Sequence, residues 1–285
     1  MTGELKERRN ILFTIGLDKY ESDVWKDLKN AVLDCTELKK TLENHYSFEE
    51  YPNSLFNSQA TKKEIYNNLN TLKSFVEPDD NLIIFFAGHG SMNPNTNRGY
   101  WIPYEGTSDT STWIENSVIK DFIQDIIAHH IYLIADSCFS GTFLTNTRDK
   151  TIELSYEKLD AKKSRWMLSC GSEEKVSDGI PTKHSPFCNY LLKYLNNNSN
   201  KYTSISEIIT YVKSLTENNS NQTPRGAFID NVGHAEGEMI LTLKEEFVKH
   251  NIKTTRGKPN TPNLRIELAN FEKRKNKISV GKEIL

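Results

Sequence analysis

Asn81-Leu-Ile-Ile-Phe-Phe-Ala87, running into Gly88-His89-Gly90, and Ile131-Tyr-Leu-Ile-Ala135, running into Asp136-Ser-Cys-Phe-Ser-Gly141, decide the reading of this sequence. Both apolar runs are nearly continuous. A strand with one wet face alternates polar and apolar residues; an unbroken run fits a parallel strand covered on both faces. Each run ends in a turn loaded with reactive side chains. In an open parallel sheet, ligands bind at the carboxyl ends of the strands. His89 and Cys138 are thereby expected at one edge of one sheet.

Outward from these runs the pattern alternates. Ile11 to Gly16 reads as a strand, and Leu28 to Tyr46 as a helix with Leu28, Ala31, Val32, Cys35, Leu38 and Leu42 on one face. A short strand is expected near Phe48 to Tyr51. Thr61 to Val76 reads as a helix, with Thr61 as N-cap and Glu64 completing a capping box. Further helices are expected at Ser117 to Ile127, Pro186 to Leu195 and Ser204 to Leu215. Strands are expected at Arg165 to Ser169 and, as an edge, at Glu238 to Leu243. Met92–Arg98, Thr145–Lys150, Ser172–His184 and Asn196–Asn200 read as loops. The alternation predicts an α/β fold with a mostly parallel central sheet flanked by helices on both faces.

Composition narrows the class. Over 285 residues, hydrophobic residues make up 36% and charged ones 26%, and the net charge of −2 does not suit a nucleic-acid coat. No run approaches the roughly 18 apolar residues of a membrane span. The first thirty residues are charged throughout, against a secretory signal. Four scattered cysteines are too few for a disulfide scaffold and include no C-x-x-C pair, which together predicts a cytoplasmic protein and no zinc site. Residues 244–285 carry 11 Lys and Arg against 5 Asp and Glu, a net +6 beside −8 for the rest. We therefore divide the chain at 243. The basic extension is either a solvated tail, a docking or effector site, or a contact for the acidic part.

A thiol is a poor nucleophile until deprotonated, and an imidazole beside it supplies the base and later protonates the leaving amine. Gly88 and Gly90 would let the main chain come close to a substrate carbonyl with unusual dihedrals. The backbone amides of Gly90 and Cys138 would then face a developing oxyanion. Cys170 also ends a strand, but lacks the Asp-Ser-Cys-x-Ser-Gly frame. Cys35 and Cys188 read as small buried hydrophobes. His129 and His130 precede their strand and sit at the wrong edge. His184 and His234 are expected in loops near the active edge, as surface or structural residues.

Phe85-Phe-Ala-Gly-His-Gly90, Gly99-Tyr-Trp-Ile-Pro103 and Asp136-Ser-Cys-Phe-Ser-Gly141 resemble the caspase–metacaspase superfamily of cysteine peptidases, as do Ile15-Gly16-Leu17, Asn30 to Asp34 and Asn221-Gln-Thr-Pro224. His89 precedes Cys138 by 49 residues, against roughly 50 in caspases. The resemblance covers about residues 10 to 243 and implies the caspase-like fold, with Cys138 as nucleophile and His89 as base. It also implies that Asp136, joined by Asp34, lines the pocket for the residue before the cut, with Ser169 shaping it. Two carboxylates there favour Arg or Lys. The substrate backbone is expected to pair beside the segment after Arg165 to Ser169. The linker from Thr142 to Lys163 offers Arg148, Lys150, Lys158, Lys162 and Lys163 for self-cleavage. The resemblance further suggests stress, death or antiphage programmes, an activator protein or nucleotide signal acting through the tail, and no required cofactor, with calcium open. The competing readings are a non-catalytic scaffold and, more remotely, a small-molecule hydrolase, for which no G-x-S-x-G occurs.

Overall fold

The computed structural model describes residues 5–93, 95–137, 155–171 and 183–249. Cys138, Arg148, Lys150 and the extension from residue 250 lie outside the described residues. In chain order the elements are β1 (Asn10–Gly16), α1 (Ala31–Tyr46), β2 (Phe48–Glu50), β3 (Leu55–Phe56), α2 (Lys62–Phe75), β4 (Asn81–Ala87), β5 (Gly90–Asn93), β6 (Arg98–Trp101), β7 (Ile114–Glu115), α3 (Asn116–Asp125) and β8 (His130–Asp136). Then follow α4 (Tyr156–Asp160), β9 (Ser164–Ser169), α5 (Pro186–Asn197), β10 (Tyr202–Ser204), α6 (Ile205–Asn219), β11 (Arg225–Phe228) and β12 (Ile240–Thr242).

The main sheet runs β11-β9-β8-β4-β1-β2, with β3 also on β1. Every pair is parallel except β11 on β9. All residues of β4 and β8 are buried, which is why their sequences carry no alternation. Within each strand, side chains still divide between two cores. Leu12, Ile83, Phe85, Tyr132 and Ile134 join α1, α5 and α6 on one face. Ile11, Phe13, Leu82, Ile84, Phe86, Ile131 and Leu133 join α2 and α3 on the other. The fold is α/β with a mostly parallel sheet between helical layers, as the run-and-turn pattern required.

Several local expectations are corrected. The stretch from Met92 to Arg98 is not all loop: β5 and β6 pair antiparallel there, with β7 added beside β6. β12 does not edge the main sheet; it pairs with β10 in a two-stranded sheet of its own. The true edge strand is β11, just after the Asn221-to-Pro224 segment. Its first residue is exposed and its other three are half-buried, so it gave no apolar signal. α1 starts at Ala31, three residues later than its apolar face suggests. Thr61 does cap α2, accepting from the Glu64 amide at 3.2 Å, but the Glu64 carboxylate meets Asn67. The reciprocal capping box belongs to α6, between Ser204 and Glu207. Nor does compact structure stop at 243. Lys244 donates its backbone N–H to the His45 carbonyl, and the Phe247 ring lies 4.2 Å from that of His45, fastening 244–248 to the end of α1.

Candidate active site

β4 and β8 are neighbours in full register, Ala87 opposite Asp136. His89 leaves the tip of β4. Ser137, the residue before Cys138, leaves the tip of β8 and is buried. Pairing parallel strands in one register brings two sequence-distant tips to one edge.

The loop after β1 builds the wall around His89. The ring nitrogen Nε2 of His89 lies 2.7 Å from the Lys26 carbonyl oxygen. A carbonyl only accepts, so Nε2 carries the hydrogen and Nδ1 is left as the acceptor, the form a general base needs. The backbone N–H of His89 donates to the Tyr20 hydroxyl at 2.7 Å, and the Tyr20 and Trp25 rings flank the imidazole at 4.9 and 5.5 Å. Burial pulls the His89 pKa below its ordinary value, and the Lys26 bond only partly opposes this. Tyr20, Trp25 and Lys26 were missed in the sequence. The carbonyl of Lys26 has no side-chain identity to recognise, and only the path of the loop brings it to His89.

The glycines beside His89 act differently from expectation. Neither has a left-handed backbone. A Cβ on Gly88 would sit 2.9 Å from the Tyr20 hydroxyl oxygen, so Gly88 makes room for the residue that holds His89. The Ile102 N–H donates to the His89 carbonyl at 3.0 Å. With Gly90 opposite Trp101, that bond makes Gly90–Trp101 a non-hydrogen-bonded pair, and the Gly90 N–H points away from β6. This direction suits the expected oxyanion donor.

The two acids meet in the interior. Asp34 sits in the first turn of α1 and is 1% exposed; Asp136 ends β8 and is 5% exposed. Asp34 is therefore no helix-surface carboxylate. Asp18 holds α1 in place: its carboxylate accepts from the Ala31 and Val32 amides at 2.8 and 3.4 Å, standing in for the missing side-chain cap of Asn30. Burial raises the Asp18 pKa, against the pull of those two amides. Residues 184 and 185 link the acids. His184 Nδ1 lies 2.6 Å from one Asp34 oxygen, and the Ser185 N–H donates to the other at 3.2 Å. The Ser185 hydroxyl donates to Asp136 while accepting from the Cys188 amide at 2.9 Å as the N-cap of α5. Ser185 thus bonds to both acids, through its N–H to Asp34 and its hydroxyl to Asp136. His184, expected in a loop near this edge as a surface or structural residue, is a partner of Asp34, whose hydrogen bond raises its pKa.

Other expected residues fall as follows. Ser169 is buried at the tip of β9, but its hydroxyl donates to the Arg225 carbonyl at 3.4 Å, toward the edge strand and not the acids. β11 lies along β9 from Trp166 to Ser169, and residues 172–182 of the segment after it, where the substrate backbone is expected to pair, lie outside the described residues. Cys170 is buried and its thiol donates to the Ser137 carbonyl at 3.1 Å. Cys35 and Cys188 are buried, and burial with the charges of both acids pushes their thiols well up. His129 and His130 lie at the opposite end, His130 against Ser164 and Asp160. His234 was expected near the active edge. It instead accepts from the Arg165 amide at 3.2 Å near the far end of β9 and stacks on Phe228.

A family model described as "Caspase domain" matches residues 9–232. The chain belongs to the caspase-domain family. A crystal structure of a protein from Geobacter sulfurreducens is similar at a TM-score of 0.58, with 15% identity over 81% of this chain and 99% of that one. At that identity it supports the fold alone. No curated protein matches this chain. No described helix is long and apolar enough to cross a membrane.

Proposed function

We propose that this caspase-domain protein is a cysteine endopeptidase that cuts after Arg or Lys, with Cys138 as nucleophile and His89 as base. The observation that carries the reading is the fixed tautomer of His89. Lys26 holds Nε2–H, so Nδ1 can take a thiol proton and return it to the leaving amine. The charge pair Asp34 and Asp136 supports the choice of a basic residue before the cut. Such a cation would replace His184 at Asp34 and Ser185 at Asp136, so the occupied acids fit an enzyme that is switched on rather than always active.

Among the described candidates for self-cleavage, Lys158, Lys162 and Lys163 are poorly suited. An extended-peptide site needs a backbone whose hydrogen bonds are available. Lys158 is in α4, and the Lys162 N–H donates to the Leu159 carbonyl. The carbonyl of Lys163 accepts from the Ala235 and Gly237 amides.

The test is hydrolysis of peptides carrying a fluorescent leaving group after Arg, Lys or Asp. The full chain should release the group after Arg or Lys, and Cys138→Ala should not. Asp136→Asn should lower kcat/KM for Arg by ~30-fold or more, taking ~2 kcal/mol as the lower bound for a lost buried charge partner. No turnover with any basic peptide, before or after cleavage between residues 148 and 150, would leave a non-catalytic module.

A further inference from the structure

We infer that Asp34, His184 and Cys188 form a binding site for a zinc ion. One ligand atom from each, a carboxylate oxygen, an imidazole nitrogen and a sulfur, all lie within 4.8 Å of one another. Tetrahedral zinc with bonds of ~2.0–2.3 Å needs its ligand atoms about 3.3–3.7 Å apart, so the three side chains need only small adjustments. His184 and Cys188 are four residues apart across the start of α5, and Asp34 faces them from α1. The scaffold is already fixed. Ser185 caps α5 through the Cys188 amide, Pro186 opens the helix, and the Ser185 N–H holds the second oxygen of Asp34. That last bond is the kind of support that orients a metal-binding carboxylate.

Charge favours occupation. A dication with one carboxylate, one thiolate and a neutral imidazole is neutral overall, which lowers the cost of burial. A thiolate beside an imidazole selects zinc over calcium or magnesium. On binding, the Cys188 thiol gives up its proton to solvent, and the hydrogen between His184 and Asp34 leaves with it. The His184 side chain is 23% exposed and offers the way in. Three protein ligands leave a fourth position for water. The site stands on its own residues. One consequence rests on the peptidase reading: zinc would hold Asp34 and shut the slot against a basic side chain, so removing zinc would activate.

The test is titration of the full chain with cobalt(II), read by the thiolate-to-cobalt charge-transfer band and reversed by zinc. The same titration is run on Cys138→Ala, Cys188→Ser and His184→Ala. The expected result is one equivalent bound in wild type and in Cys138→Ala, and loss of the band in Cys188→Ser. Losing a ligand should cost at least the roughly 10–100-fold of a lost supporting partner, so His184→Ala should weaken binding by that much or more. His184→Ala also decides the matter if Cys188→Ser does not fold. Absence of the band in wild type, its loss in Cys138→Ala, or unchanged affinity in His184→Ala would overturn the site. Cobalt bound by Cys138→Ala, with no peptidase activity in wild type that has been stripped of metal and cleaved between residues 148 and 150, would sink the peptidase reading and leave the metal site standing.

Discussion

Replacing Asp34 with Asn keeps the shape of a buried side chain and removes its charge. Wild-type Asp34 accepts two hydrogen bonds, from His184 and from the Ser185 amide. In the variant the amide oxygen still accepts from Ser185, and the amide nitrogen donates to a neutral His184. The bonds survive as neutral ones. A bond to a charged group is worth about 1.5–3 kcal/mol net and a neutral one about 0.5–1.5. Two such changes cost ~2–3 kcal/mol, or a fall in Tm on the order of 5 °C. Asp136 works the other way, because losing one of two neighbouring acids relieves repulsion. The pH dependence is therefore read on the His184 pair. The hydrogen bond to Asp34 raises the His184 pKa in the folded state. Its stabilisation is thus complete below the unfolded value of about 6.5 and is lost as pH rises through the folded value. Thermal melts of wild type and Asp34→Asn at about pH 5.5 and about pH 9 should show the larger gap at the acid pH. An equal gap, or one that widens toward pH 9, would refute the reasoning.

Two further outcomes follow from the wall around His89. Tyr20→Phe removes the acceptor of the His89 N–H, and an unsatisfied buried donor costs about 1–3 kcal/mol; kcat on an Arg peptide should fall while KM stays nearly constant, and an unchanged kcat would show that Tyr20 does not position His89. Because burial holds the His89 pKa below its ordinary 6.5, the imidazole stays neutral into mildly acid solution; the acid limb of kcat/KM should therefore lie below pH 6.5, and a limb above it would contradict the burial.

How much of this was legible in the sequence depended on whether the signal was local. β4 and β8 announced themselves because strands buried on both faces are apolar at nearly every position. The turns after them carried Gly88-His89-Gly90 and Asp136-Ser-Cys, which are recognisable as text. β11 did not, since an edge strand half-open to solvent has no distinctive composition, and the β5–β6 hairpin was masked by its polar residues. His184 looked like one more loop histidine.

The sequence by itself determined the α/β class, the sheet edge at which His89 and Asp136 end their strands, and the family, because burial periodicity and strand-end motifs are properties of contiguous residues. Only the tertiary structure decided that the Lys26 carbonyl fixes the tautomer of His89, and that His184, Ser185 and Cys188 close on Asp34 and Asp136. Those contacts join residues up to 154 positions apart. They depend on how α1 and α5 pack on one face of the sheet and on where the loop after β1 runs, and no local pattern of residues encodes either.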